Sequence, residues 1–567
     1  MHVAKVVSRQ QGREYTSWLL RQSYRDAGKV KHHTLANLSA LPPAAIDAIR
    51  AVLRGETVSA SSDVVIERSL PHGNVLAVLG TLRRLGLEQL LDRAPSRSRD
   101  LVAGMIVARV LDASSKLATN RTWEQSTLAS TLRIDGAGVD EMYAALDWLL
   151  TRQAHVEKAL ARRHLRDHDL VLYDLSSSYV EGRHCPLARL GYSRDGKRGT
   201  LQIEYGLLTD REGRPVAVEV FAGNTGDPTT VPAQVDKLRQ QFGLEHVVLV
   251  GDRGMLTSAR IDAIRKLGGL EWISSLRSPQ IRSLVDGGAL QLGLFDERSL
   301  AEISHPDFPD ERLVVCRNPA LAAERARKRE ELLRATEALL APVVTAVHEG
   351  RLHDAGAIGV RVGRVLDKHK VGKHFEVTID EGRLTVQRRE QQITAEAALD
   401  GIYVLRTSVS AEQLNSADVV RAYKSLANVE RAFRTLKSVD LQIRPLYHWS
   451  EDRVRAHVLL CMLAYYVQWH MERAWAPLLF RDEQPAPAEH PVAPARRSAA
   501  ALRKVQTQRL EDGSTVHSFG TLLSELATLT RNRMRLSSGD AAFDALASPT
   551  PLQRRALELL QVSPTAL

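Results

Sequence analysis

The chain has 567 residues and a mass of 62.8 kDa, several times the size of a typical domain, so more than one compact unit is expected. A hydrophobic fraction of 44% beside 25% charged residues excludes wholesale disorder and fibrous repeats. The balance of 77 Lys and Arg against 67 Asp and Glu leaves +10, which fits either a polyanionic partner or an ordinary solvated surface.

The first sixty residues hold nine cations, Lys5 to Arg54, against the acids Glu14, Asp26, Asp47 and Glu56, so half of the net charge lies in a tenth of the chain. No apolar stretch of signal-peptide length opens the sequence, and nowhere do about 18 uncharged apolar residues run together. A cytoplasmic protein is therefore expected. Cys185, Cys316 and Cys461 stand far apart without a Cys-x-x-Cys pair, which argues against structural zinc and against a disulfide framework.

From about Leu70 to Leu150 the pattern is helical, with LVAGMIVARVL at 101–111 and MYAALDWLL at 142–150 after the turn-like DGAG. Short helices beside a basic segment suit either a helix-turn-helix reader of DNA or a plain helical bundle. After the charged helix HVEKALARRHLRDH the texture changes. DLVLYDL, LQIEYGLLTD (201–210) and, across REGRP, VAVEVFAG (216–223) predict three hairpin-linked strands. Asp227-Pro228 predicts an N-cap and a helix through Phe242, so Asp227 is read as a cap. HVVLVGD (246–252), a helix over 258–267 and LEWISSL (270–276) follow. The order β-β-β-α-β-α-β is that of a ribonuclease-H-like fold, whose active residues lie at strand ends.

Residues from about Arg277 to Asp400 break this rhythm and are read as an insertion. It holds ERLVVCR (311–317), a charged helix around 323–340, and the strands HFEVTID and RLTVQRR meeting at Glu381-Gly382. IYVLRTS (402–408) resumes the sheet, and Ser416 is taken to cap one helix through Lys437. The stretch 451–475 predicts a largely buried helix, QPAPAEHPVAPARR (484–497) a Pro/Ala linker, and the rest a basic, weakly helical tail.

Asp174 ends the first strand of this proposed sheet and Asp252 the fourth, and adjacent strands would place both carboxylates in one site. Two such acids repel until one takes a proton or a cation neutralises them. Divalent magnesium suits that role at a phosphodiester. Glu430 can supply a third acid. Tyr423, Glu430 and Lys437 recur every seven residues, with Arg434 one turn beyond Glu430, and so share a helical face. On an isolated helix Glu430 would simply pair with Arg434; aimed at the sheet, it would join the two aspartates while Arg434 and Lys437 held phosphates.

YDLSSSY around Asp174, GNTGD at 223–227, VGDRGM around Asp252 and YKSLANVERAFRTLKS at 423–438 resemble the DDE transposases of bacterial insertion sequences. The similarity is to the branch, the insertion sequence four superfamily, whose third acid lies in a Tyr-x2-Arg-x3-Glu-x6-Lys signature. Tyr423, Glu430 and Lys437 match it; Leu426 occupies its arginine position, leaving Arg431 or Arg434 to substitute. RPLYHWSEDRVRAHVLLCMLAYY (444–466) also resembles that branch, and KVKHHTLANLS (29–39) is similar to one subgroup.

The resemblance implies a multidomain α/β chain: a ribonuclease-H-like catalytic core interrupted by a largely β insertion, with a helical N-terminal DNA-binding region. The expected divisions are a basic region 1–68, a helical end-recognition domain 69–165, core segments 166–278 and 401–480, the insertion 279–400, and the linker and tail 481–567. It further implies Asp174, Asp252 and Glu430 as ligands of two Mg²⁺, with Mn²⁺ able to substitute. DNA contacts are expected from Tyr423, Arg253, Arg434, Lys437 and Trp272, the last stacking on a flipped base unless it is a core residue of its strand. The partners implied are double-stranded DNA, as element ends and target, and a second copy of the chain pairing two ends, in the bacterial cytoplasm at the nucleoid. A nuclease or resolvase that cuts without joining, and a non-catalytic DNA-binding derivative, are the rival readings. His184-Cys185 is read as a chance neighbourhood and RARKRE (325–330) as a solvated helix face.

Overall fold

The structure, a computed structural model, describes all residues except 11–12, 27, 57–63, 292–294, 297–298, 381–382, 484, 486–489, 494–495, 537–541 and 565–567. The chain divides into two compact units, 1–71 with 529–548, and 72–528 with 549–567.

The first unit begins with three antiparallel strands, β1 (His2–Gln10), β2 (Arg13–Asp26) and β3 (Lys29–Asn37), followed by a helix Pro43–Leu53. The basic N-terminal segment is thus largely a sheet, and the helices expected from about Leu70 begin with Gly73–Arg84 in the second unit. Its strands are mostly exposed, and without an alternation of apolar and charged residues the usual strand signal is weak. Trp18 anchors them, with the Arg50 guanidinium 4.3 Å above its ring and its backbone N–H donating to Ser39 Oγ at 2.8 Å. The strand β4 (Val64–Pro71) pairs antiparallel with Thr530–Leu536, which pairs in turn with Ala542–Leu546. The tail read as weakly helical does carry the helices Ala499–Thr507, Phe519–Ala527 and Pro551–Leu559, and these two strands return from it to the first unit.

In the second unit the strands are β5 (Leu170–Tyr179), β6 (Arg189–Leu190), β7 (Leu201–Asp210), β8 (Pro215–Ala222), β9 (Val247–Val250), β10 (Leu270–Ser275), β11 (Leu300–Ile303), β12 (Arg312–Arg317), β13 (Phe375–Asp380), β14 (Arg383–Arg388) and β15 (Ile402–Thr407). One mixed sheet runs β11-β12-β15-β10-β9-β5-β7, with β6 and β8 both on β7. The pairs β5/β7 and β7/β8 are antiparallel, and β5/β9 and β9/β10 parallel. This order, β8-β7-β5-β9-β10, is consistent with a ribonuclease-H-like core. Nearly every residue of β7 is buried, as covering on both faces demands. Gly206 leaves room there for Tyr173, since a Cβ would lie 2.5 Å from the phenol oxygen, which donates to Thr230 Oγ1 at 2.9 Å.

The helix Glu451–Ala474, capped by Ser450, is buried almost all round and packs on β8 and on the helices Arg97–Leu111 and Val139–Thr151. The helices of 73–164 thus share one compact unit with the sheet and do not stand apart from it. Further along, Trp475 Nε1–H donates to the Ala556 carbonyl at 2.9 Å, which ties the last helix, Pro551–Leu559, to the same unit. Half of the proposed linker 484–497 lies outside the described residues.

The insertion is mainly helical, not largely β. Helices Ser278–Asp286, Pro319–His348, Ala355–His369 and Glu390–Ala397 account for about half of it, far more than its strands, while β11 and β12 extend the main sheet through β15. Only the hairpin β13/β14 is its own, and the turn at Glu381-Gly382 lies outside the described residues. Arg388 on β14 holds the hairpin to the long helix through Glu330 and Glu337, at 2.9 and 2.6 Å. Leu340, Val347, Ile358, Val362 and Leu384 form a small core between them. Among the described residues no helix is long and apolar enough to cross a membrane.

Candidate active site

Asp174 is the fifth of the ten residues of β5, flanked by buried Tyr173 and Leu175; it does not end the strand, which runs on through three buried serines. In the parallel pairing with β9, Leu170, Val171 and Leu172 face Val248, Leu249 and Val250. Two register steps further, Asp174 lies level with Asp252, just beyond the end of β9. Asp252 is held by its own turn: its Oδ1 accepts the N–H groups of Gly254 at 3.0 Å and Met255 at 2.9 Å, and Ser274 Oγ donates to its carbonyl.

The third acid comes from a broken helix. Asn415, not Ser416, is the cap, its side chain accepting from Asp418 N–H; the chain then forms Ser416–Lys424, shifts axis at Ser425, and continues as Leu426–Arg434 and a wider turn Thr435–Val439. Leu426–Arg434 packs on β5 through Val429, Ala432 and Phe433, the last meeting Tyr205 edge-on at 5.7 Å, and leaves Glu430 exposed. Burial above all, then the charges of Asp252 and Glu430, push the Asp174 carboxyl up to about 7, against an N–H bond from Leu175 and the charge of Arg194. The three acids of the motif are thus within electrostatic reach of one another.

Two neighbours that sequence reasoning missed organise the site. Arg194 donates to Asp227 at 2.6 Å and lies 3.2 Å from Glu204, an ion pair without hydrogen-bond alignment. Asp227 is therefore not a cap: Gly226 precedes the helix, without a side-chain bond, and the Asp227 carboxylate turns to Arg194. It also faces Asp252, because a Cβ built on Gly254 would lie 3.3 and 3.4 Å from the Asp252 oxygens and 3.8 Å from Asp227 Oδ2. Burial first, then Asp227, push Glu204 up to about 7 against the charge of Arg194. The next residue, Asp195, has its side chain 2% exposed and accepts Lys437 at 2.9 Å and also Arg444. Lys437 is consequently committed to Asp195, and burial lowers its ammonium below the usual range. Arg194 and Asp195 sit in GYSRDGKRGT, whose glycines and charges read only as a loop. That loop is seated by Gly191 against Gly223, since a Cβ at Gly191 would fall 1.9 Å from the Gly223 carbonyl oxygen.

Among the remaining candidates, the Tyr423 hydroxyl lies 2.9 Å from Ser275 Oγ, and burial raises it, with Asp252 and Asp174 adding to the shift. Arg253 and Arg434 are exposed. Trp272 is 3% exposed, paired with Leu249 across the sheet and covered by the Arg265 guanidinium 5.6 Å from its ring. It is a core residue of β10 and not a stacking platform, because its strand is buried on both faces. A cavity of about 1040 Å³ beside Arg253 is lined by Arg282, Arg325, Lys328, Lys370 and Lys373, with Asp286, Glu396 and Asp400. Part of the RARKRE run thus faces a cavity, while Arg327 pairs along its helix with Glu324 and Glu331.

Among the described residues no three His, Cys, Asp or Glu side chains converge into a ready metal cage. The donor set still suits a hard cation. Mg²⁺ is commonly held by one or two carboxylates and completes its shell with water and substrate phosphates, and here two aspartates lie level, one of them raised to about 7 chiefly by burial.

Residues 167–467 match the family of the transposase DDE domain, more than half of the chain and all of the residues just described. The chain belongs to the DDE transposases. Residues 3–63 of this transposase match the N-terminal domain of the IS1634 family transposases, which marks it as a protein of bacterial insertion sequences. Its structure is similar to a piggyBac transposase synaptic complex with hairpin DNA, at TM-score 0.33 and 9% identity over 80% of this chain and 77% of that one. It is also similar to the Mos1 transposase paired-end complex with left transposon end, at TM-score 0.14 and 14% identity over 34% of the transposase and 62% of that chain. A comparison with curated proteins found no match. Membership in the family carries DNA as the partner, transposition as the process, and phosphodiester cleavage and transesterification as the general chemistry.

Proposed function

We infer that this transposase binds the terminal inverted repeats of its element, pairs two ends as a dimer, cleaves them, and joins the freed 3′-OH to target DNA on a ribonuclease-H-like core. The observation that carries the reading is the level placement of Asp174 and Asp252 on neighbouring parallel strands, with the Glu430 charge felt at Asp174. Asp174, Asp252 and Glu430 would hold two Mg²⁺ or Mn²⁺ ions; bound there, they would activate the attacking oxygen and stabilise the leaving one. A cation held there would favour the ionised form of Asp174, whose carboxyl burial raises to about 7. Asp252 is kept oriented by Gly254 and Met255 N–H groups. Arg253, Tyr423 and Arg434 face the DNA side, and the basic cavity next to Arg253 takes backbone phosphates. Lys437 acts through Asp195, holding the Glu430 helix in place. Tyr423, Glu430 and Lys437 also support the branch with the Tyr-x2-Arg-x3-Glu-x6-Lys signature.

The test is nicking of end-bearing DNA in Mg²⁺ by Asp174→Asn, Asp252→Asn and Glu430→Gln. Each is expected to lose cleavage by about a thousandfold or more, since a metal contribution of several kcal/mol is removed, while end binding in a mobility shift persists. Undiminished nicking by all three would overturn the assignment. Strand transfer from a pre-cleaved end separates a transposase from a nuclease that only cuts.

A further inference from the structure

Away from the carboxylates, a cavity of about 370 Å³ opens where the end of helix Arg97–Leu111, the start of Lys116–Thr122, the loop 442–448 and the helix Glu451–Ala474 meet. Its basic lining is Arg109, Lys116 and Arg444, beside the imidazoles of His448 and His457, and among the described residues no carboxylate lines it. Arg109 is 6% exposed, yet among the described residues its guanidinium makes no hydrogen bond and no ion pair. Lys116, 5% exposed, donates to His457 Nδ1 at 2.6 Å. That imidazole must be neutral to accept, and it turns Nε2 toward the Ile443 carbonyl at 3.3 Å. The lysine bond therefore brings no counter-charge. Burial and the charge of Arg109 together lower Lys116 to about 7, and burial keeps the His448 imidazole neutral.

Asp112, at the end of helix Arg97–Leu111, is exposed and does not line the cavity, and two further acids are occupied elsewhere. Asp195 holds Arg444 and Lys437, and Asp147 pairs with Arg453, whose guanidinium covers Tyr143 at 4.7 Å. A buried guanidinium beside a buried amine without an anion is costly, and the amine sheds its proton near neutral pH unless an anion compensates both groups. A tetrahedral dianion meets both at once: the guanidinium offers a fork to two oxygens and the ammonium a point charge to a third. The volume also leaves space for several waters, each filling about 30 Å³ in the liquid.

We propose that this cavity binds a phosphate group, held by Arg109 and Lys116 with Arg444 at its edge. The phosphate can come from solution as the free anion or from a DNA strand passing the exposed Tyr447 at the rim. Through Arg444, which also serves Asp195, an occupied cavity is one ion pair removed from Lys437 and the helix of Glu430.

The test uses the full chain, with inorganic phosphate titrated calorimetrically and by thermal unfolding at pH 7.5 against chloride of equal ionic strength. Phosphate is expected to raise the melting temperature above the chloride value. Arg109→Met and Lys116→Met should weaken its binding at least tenfold, Arg109→Lys should lose less, and Asp174→Asn should keep the full effect, which separates this site from the carboxylates. Should a methionine variant fail to fold by circular dichroism, Arg109→Lys carries the comparison. No phosphate effect on the wild type, or an equal effect on wild type and the Arg109 and Lys116 variants, overturns the proposal. Duplex DNA bearing an element end distinguishes the sources. If it abolishes the phosphate effect and binds Arg109→Met more weakly, the group belongs to the DNA backbone. If the effect survives bound DNA and Arg109→Met binds DNA normally, it is the free anion.

Discussion

Asp195 is the residue on which most of the site's rigidity converges, because one nearly inaccessible carboxylate serves two cations from different parts of the chain, Lys437 and Arg444. Asp195→Asn keeps the shape but leaves both cations without their counter-charge, so a loss of about 3 kcal/mol is expected, read as a lowered denaturant midpoint. Asp174 and Glu204 give the site a pH signature. Both carboxyls titrate near 7 in the fold and near 4 in the unfolded chain, so the folded form binds more protons between those values. The share of stability that these two carboxyls give without metal is therefore expected to be fullest at low pH within this window and lost as pH rises through about 7, opposite in sign to that of buried imidazoles such as His448 and His470. Mg²⁺ should reverse that trend by replacing the Asp174 proton, and melting curves at pH 5 to 8 with and without Mg²⁺ check it. A metal-free pH 5 to 8 profile that Asp174→Asn and Glu204→Gln leave unchanged would contradict the assignment. The motif acids were legible as residues, yet Arg194 and Asp195 were not. Their loop has no period, and only the fold shows that it lies against β7, the Asp227 helix and Lys437.

At the scale of elements, the close approach of β7 to its neighbours depends on positions where no side chain fits. A Cβ on Gly223 would fall 1.8 Å from the Gln202 carbonyl oxygen and 2.9 Å from that of Arg189, whereas at Gly206 it meets the Tyr173 side chain. Backbone yields less than a side chain, so Gly223→Ala is expected to cost more than Gly206→Ala, with overpacking of about 1–3 kcal/mol for the latter. Equal unfolding midpoints would show that the contact is not limiting. The strands of the core were readable because their runs are short, apolar and bounded by turns. The Asp174 strand was read too short, since SSSY lacks apolar residues although its serines are buried. The insertion was misread for a related reason. Its three strand-like runs stood out, while β12, with β11 beside it, finds its other partner in β15, about ninety residues on, and that pairing leaves no local trace.

For the whole molecule, the end of the chain completes both units separately. Thr530–Leu536 gives β4 its partner in the first unit, and Ala556 accepts the Trp475 indole N–H in the second. Ending the chain after Thr528 should expose 1–71 to protease and shift the fluorescence of buried Trp475 to the red, both measurable against the full chain. Composition and motif order determined the kind of protein, because its strands and helices are locally encoded and its three acids lie in recognisable settings. The sequence alone also placed Asp174 and Asp252 on neighbouring strands. Tertiary structure decided what local pattern cannot carry: that Trp272 is core, that Lys437 serves Asp195, that Asp227 turns to Arg194, and that Arg109 and Lys116 meet in one cavity. Those facts depend on long-range packing and on the buried balance of charge, which are properties of the folded chain and not of any window along it.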